Sequence, residues 1–196
     1  MEAFITGLGL SSSAGLNAYL PLVLLSLAQQ SGAVELQGTL AEAITSPPAL
    51  AVWIILLLIE MTVDKIPGVD SLNDVVSTVI RPAAGTALMY ASMSGMDSQL
   101  GPDAILAISV LAGGASAGGV HATKAVTRPA VTMSTGGLGN SVVSVIEDII
   151  SLIIASFALV LPVIIIFFML SFIFLIPWWL WEKGRMDQLR HRGLVR

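Results

Sequence analysis

Two stretches of this sequence place side chains able to do chemistry inside otherwise apolar runs. GLSSSAGLNAYL, residues 9–20, carries Asn17 and Tyr19, and LAGGASAGGVHATK, residues 111–124, carries His121 and Thr123. An amide, a phenol, an imidazole and a hydroxyl in low-dielectric surroundings are the donors and acceptors that would bind a small polar solute or an ion. A third stretch, IEMTVDKIPGVDSLNDVVSTVIRPAAG at 59–85, brings Glu60 and Asp64, four apart and so on one helix face, then Lys65 and Arg81. Glu147 likewise sits near the end of an apolar run. A carboxylate in hydrocarbon is costly and marks a proton or cation pathway, which makes Glu60, Asp64 and Glu147 candidate coupling groups. Lys65, Arg81, Lys124 and Arg128 are their candidate charge partners. The plainer reading makes all of these ordinary ion pairs at a membrane surface.

Other chemistries find less in the sequence. Without cysteine there is no disulfide framework, thiolate metal site or thiol nucleophile. Asp64, Asp70 and Asp74 could meet a hard cation, but their spacing fits no EF-hand loop and reads as a solvated acidic turn. No HExxH helix, P-loop or Ser-His-Asp pattern is present, and GLGLSSSAG follows no strand of a βαβ unit. An enzyme would have to use His121 with Lys124 or Glu147 as acid and base. The expectation is therefore no enzyme, no metal and no cofactor.

The elements that position these residues are apolar. Of 196 residues, 55% are hydrophobic and 11% charged, and the mean hydropathy of +0.88 is far above that of a soluble domain, so the chain reads as an integral membrane protein. Glu2 and the absence of a basic leader or a small-residue cleavage site argue against a removed signal peptide. Apolar segments lie at about 3–28, 49–64, 82–96, 104–123, 141–159 and 162–182, several close to the ~20 residues that span a bilayer. Ser46-Pro47 is an N-cap and first-turn signal for the second, and Asn140 or Ser141 could cap the fifth. Leu72, Val75, Val76 and Val79 predict a short amphipathic interfacial helix at about 71–80.

With six spans and a cytoplasmic N-terminus, all nine basic residues fall on the cytoplasmic side, five of them in the tail 183–196. Loops 29–48 and 97–103 hold Glu35, Glu42, Asp97 and Asp103 but neither Lys nor Arg, and Trp178, Trp179 and Trp181 form an interfacial belt before the tail. Shifting the first stretch by 104 positions lays Ser12 over Ser116 and Asn17 over His121, and Ile59-Glu60 matches Ile146-Glu147. Three spans per half would make the halves inverted-topology repeats. The small residues Gly7, Ser11 and Gly15, with Gly114, Gly118 and Ala122, read either as helix-packing stripes or as helices broken to face a solute.

GLGLSSSAGLNAYLPL, DKIPGVDSLNDVVSTVIRPAAG and HATKAVTRPAV resemble the hallmark segments of a family of bacterial multi-pass membrane proteins described only as a domain of unknown function. The resemblance covers nearly the whole chain. It supports the segment boundaries and brings no activity, substrate or cofactor. MSTGGLGN at 133–140 departs from it, being Gly-rich where more proline is expected.

The sequence thus predicts an all-α membrane protein of about six transmembrane helices in two inverted three-helix repeats. The first is 1–96 with the interfacial helix, the second 97–182, followed by the basic tail. The expected function is a channel or secondary transporter for an ion or small polar solute, with its site at the repeat interface. A scaffold or assembly subunit is the alternative, and a membrane-embedded enzyme ranks below it. Expected partners are the lipid bilayer, the solute and, through the glycine stripes, a second copy in a homo-oligomer; the short basic tail faces lipid rather than nucleic acid. The expected location is the bacterial cytoplasmic membrane with both termini inside. A reporter fused after Arg196 should be cytoplasmic and one inserted near residue 38 outside; same-side results would contradict this arrangement.

Overall fold

The computed structural model describes residues 2–66, 69–160 and 171. The expected sixth span 162–182, the tail 183–196, the Trp178, Trp179 and Trp181 belt and the side chain of Asp70 lie outside the described residues. All regular structure among the described residues is helical: α1 Glu2–Ala14, α2 Leu20–Gln30, α3 Thr39–Thr45, α4 Pro47–Val63, α5 Val69–Met93, α6 Pro102–Thr135 and α7 Leu138–Val160. Two helices, α6 and α7, are long and apolar enough to cross a membrane. The α3–α4 pair, bent by 54°, brings the number to three. The chain is a membrane protein.

Local chemistry sets the breaks. Ser46 caps α4 by accepting the Ala49 N–H at 3.4 Å, and Pro47 and Pro48 follow where no donor is needed. Asn140, expected as a cap, instead lies within α7 and donates to Thr132 Oγ1 at 2.9 Å. Gly136 and Gly137, both with positive φ, end α6 in the left-handed conformation that L side chains avoid. A π-helical turn at Ser109–Gly114 offsets the face of α6 before His121 and Lys124.

Helix α5 packs between α1 and α6. A Cβ on Gly85 would lie 2.6 Å from both Ala117 Cβ and Gly113 O, and one on Gly7 would lie 2.5 Å from Met89 Sδ. Ser11 Oγ donates to Gly85 O at 2.7 Å. The small residues bring three helix backbones into contact, as small-xxx-small patterns do.

The order of these contacts fixes directions. Gly7 meets Met89 and Ser11 meets Gly85, so α1 and α5 are antiparallel; Gly114 meets Thr86 and Gly118 meets Pro82, so α5 and α6 are antiparallel too. Helices α1 and α6 consequently run the same way, with Ser12 Oγ 2.6 Å from Ser116 Oγ and Gly15 against Val120. This corrects the inverted repeat. The 104-residue correspondence arises because two small-residue stripes lie side by side in register against α5.

Residues 3–28, expected as one span, are also corrected. The chain breaks after Ala14 and turns back: Ala18 meets Glu60 near the end of α4, Tyr19 stacks on Trp53, and Ser26 reaches Ile44 O. α1 and α2, about 20 and 16 Å long, form a hairpin of half-helices, each shorter than the ~30 Å hydrocarbon core. Phe4 packs with Met93 and Ile105, and Gly38 lies beside Ser94, so the Glu2 end of α1 and residue 38 occupy the same end of the bundle. A cytoplasmic N-terminus opposite an outside 29–48 loop does not fit that placement. The expected interfacial helix 71–80 is the first half of α5, which continues through Pro82, and the loop expected to carry Lys124 and Arg128 is helical to Thr135.

Replacing Gly85 with Val should force the three backbones apart and lower stability by about 1–3 kcal/mol or more. Gly119→Ala, where a Cβ meets nothing within 4 Å, should be neutral. Thermal unfolding in nanodiscs checks both.

Candidate functional site: a buried charge network at a helix break

A chain that stops being helical in apolar surroundings leaves carbonyls at the end of one helix and N–H groups at the start of the next. At residues 15–19 charged side chains take up both. Arg81 Nη1 donates to Gly15 O at 2.7 Å, and Lys124 Nζ reaches Leu16 O at 3.5 Å. On the other side, Ala18 N donates to Glu60 Oε2 at 3.0 Å. Asn17 Oδ1 accepts from Tyr19 N at 3.2 Å and Leu20 N at 3.0 Å, which starts α2. Cations thus meet the C-terminal end of α1 and carboxyl and amide oxygens the N-terminal end of α2, the signs that the helix dipoles favour.

Those side chains join a larger network. Arg81, fully buried, pairs with Glu60 at 2.9 Å and lies 3.8 Å from Asp64. Asp64 Oδ2 and Glu147 Oε2 share the same two cations. Lys124 Nζ lies 3.1 and 2.9 Å from them and Arg128 Nη2 3.4 Å from each, a four-cornered arrangement of alternating sign. Arg128 Nη1 continues to Asp74 Oδ2 at 3.0 Å, and Asn73 donates to Asp64 Oδ1 at 2.7 Å. At one side Lys65, a third exposed, pairs with Asp148 at 3.1 Å, and Asp148 accepts from Asn17 Nδ2 at 2.9 Å. Asp64 stands just past the last residue of α4. Burial opposes its ionisation, but Lys124, the Asn73 hydrogen bond and Arg128 outweigh that and hold its carboxyl below the ordinary range.

Of the residues expected in a site, Asn17, Glu60, Asp64, Glu147, Lys65, Arg81, Lys124 and Arg128 meet here. His121 is 3% exposed and adjoins the network through Thr78, whose Oγ1 is 3.2 Å from Nε2. Tyr19 is half-buried against Trp53, with ring centroids 6.4 Å apart. Thr123 stands apart: it is exposed and donates to Gly119 O within its own helix. Asp74, read as a solvated turn, is in the network instead. Asp148 was missed, although Ser144, Asp148, Ser151, Ala155 and Ala158 recur at three- and four-residue spacing and mark the buried face of α7. Ser13 Oγ donates to Ser151 O at 2.8 Å on that face. Among the described residues no group of three or more His, Cys, Asp or Glu side chains is arranged to hold a metal ion.

Residues 4–182 match the family described as a domain of unknown function (DUF4126), and the chain belongs to that family. Neither the curated proteins nor the solved structures contain a match.

Breaking a buried pair by removing one partner typically costs about 3–5 kcal/mol, whereas removing both leaves no orphaned charge. Arg81→Met should therefore destabilise strongly, and adding Glu60→Gln should recover much of the loss, read as unfolding midpoints in nanodiscs. The low-lying Asp64 carboxyl contributes stability that is present above the ordinary carboxylate range and lost as pH falls through its folded value. Acidification from pH 7 should accordingly lower the unfolding temperature, and by less in Asp64→Asn.

Proposed function

We propose that this family member is a channel or secondary transporter for an ion or small polar solute, working where the α1–α2 hairpin meets the charge network. The observation that carries this reading is the juxtaposition itself. Two half-helices end on buried, paired charges in an otherwise apolar bundle, the arrangement by which discontinuous membrane helices present backbone dipoles and titratable groups to a solute. Intramembrane carboxylates are expensive to maintain and are by default functional.

The proposed roles follow from position. Asn17 and Tyr19 border the break and are candidate solute ligands, with His121 behind them. Glu60 and Glu147, from different helices, are the candidate coupling carboxylates. The proposed location is the bacterial cytoplasmic membrane. The bundle end holding Lys65 and Arg128 would face the cytoplasm and the end holding Glu2, Glu35 and Glu42 the outside, following the positive-inside rule. Segment 162–182 would add the last crossing and return the basic tail to the cytoplasm. A homo-oligomer fits a chain of this size. The alternative, a scaffold for a larger complex, treats the network as purely structural.

Purified protein in proteoliposomes loaded with a pH-sensitive dye tests the reading. Wild type should carry flux that depends on pH, and Glu60→Gln and Glu147→Gln should each abolish that dependence while the protein still elutes as a folded species. Unchanged flux in both variants, or none in wild type across ions and small polar solutes, would favour the scaffold.

A further inference from the structure

The network is not charge-balanced. Among the described residues it gathers five carboxylates, Glu60, Asp64, Asp74, Glu147 and Asp148, against four cations, Lys65, Arg81, Lys124 and Arg128. Lys65 and Asp148 pair off at the exposed side, Arg81 serves Glu60, and Lys124 and Arg128 are divided among three acids. The acid with the least compensation is Asp74. One of its oxygens contacts Arg128, which Asp64 and Glu147 share, while Oδ1 is buried without a hydrogen-bond partner. A lone surplus charge in a low-dielectric interior calls for one positive equivalent.

The structure offers a place for it. Thr78, one helical turn beyond Asp74 on α5, has a single hydroxyl hydrogen and donates it to Asp74 O at 2.9 Å. The 3.2 Å contact between Thr78 Oγ1 and His121 Nε2 is then donated by the ring. The neutral imidazole accordingly carries its hydrogen on Nε2, which leaves Nδ1 as the bare lone pair. Nδ1 is buried and has no hydrogen-bond partner. The charged groups that act on the ring are Asp74 and Arg81 from α5 and Lys124 from its own helix; Asp74 favours a charge there, and Arg81 and Lys124 oppose it. A proton arriving at Nδ1 would balance the count while placing a cation against two others. That combination suits a transient carrier better than a permanent ion pair.

We infer that His121 Nδ1, with Asp74 as its counter-charge, is the single proton-accepting position of the network, so that the coupling ion is a proton. This deepens the transport reading and moves the titrating role from Glu60 and Glu147 to His121. The two glutamates then act as positioning residues: they keep the cations and the helix break in place, and their loss affects flux through His121.

Histidine nitrogen NMR on the full chain in nanodiscs tests the assignment. His191→Gln leaves His121 as the sole histidine. Nδ1 should be unprotonated at about pH 8 and protonated by about pH 5, the range in which histidine can switch. Asp74→Asn should cut the protonated-to-neutral ratio at a given pH by about tenfold or more, the effect of losing a close opposite charge. Because Asp74 also holds Arg128, Thr78→Val gives a second reading that leaves every charge in place. It should abolish the preference for hydrogen on Nε2. A neutral ring throughout, hydrogen on Nδ1 at pH 8, a ratio indifferent to Asp74→Asn or a tautomer indifferent to Thr78→Val would each overturn the proposal. Proton flux in proteoliposomes separates it from the broader reading. Titration without flux would leave the proton site and sink transport, while flux without titration would leave transport and sink the site.

Discussion

A polypeptide can stop being helical in apolar surroundings only if every backbone N–H and C=O freed at the break finds a partner. In this protein the Glu60–Arg81 pair meets much of that requirement. Arg81 takes the Gly15 carbonyl, Glu60 takes the Ala18 amide, and the two satisfy each other across 2.9 Å. A pair this deeply buried adds little net stability over a well-packed apolar pair of similar shape, because desolvation offsets most of the Coulomb attraction. Its effect is specificity: it fixes where the chain turns, and the hairpin, the register of α1 and the placement of the remaining charges follow.

Close approach of α5 is the second condition. Arg81 reaches Gly15 because the α5 backbone lies against α1 and α6 at Gly85, where a side chain would collide with Ala117 and Gly113. The small-residue stripes and the charge network are therefore parts of one design. The stripes let three backbones converge, and the convergence puts Arg81, Lys124 and Arg128 within reach of carboxylates from α4, α5 and α7. Net charge matters alongside geometry, because three cations divided among four acids around Asp64 leave a deficit that neutral packing does not remove.

Residue types and their helical spacing revealed much of this. The membrane class, α4 and α7, and the pairing of Glu60, Asp64 and Glu147 with four basic residues were legible because charges in apolar runs are rare and need partners. Directions were not. GLSSSAGLNAYL is apolar enough to read as half of one long span, and what turns the chain back is the pairing of Gly15 and Ala18 with residues 42 to 66 positions away. The match of Ser12 with Ser116 suggested a duplication, but two helices that pack on a common third through small residues converge on the same pattern whatever their ancestry. Thr123 looked like His121 in the sequence. Two residues on a helix are about 200° apart, which turns one of them inward and leaves the other exposed. Asp148 was hidden beside Glu147, since only the stripe from Ser144 to Ala158 marks it as inward-facing.

The central claim is that buried charges, not water, satisfy the backbone at the break. Amide hydrogen exchange at Ala18, Tyr19 and Leu20 in nanodiscs addresses it most directly, because these N–H groups precede or begin α2 and have Glu60 and Asn17 as acceptors. The account predicts that all three are protected like the amides in the middle of α5, and that Glu60→Gln speeds exchange at Ala18 more than at Leu20. Exchange of all three in the wild-type protein as fast as in residues 31–37 would contradict it.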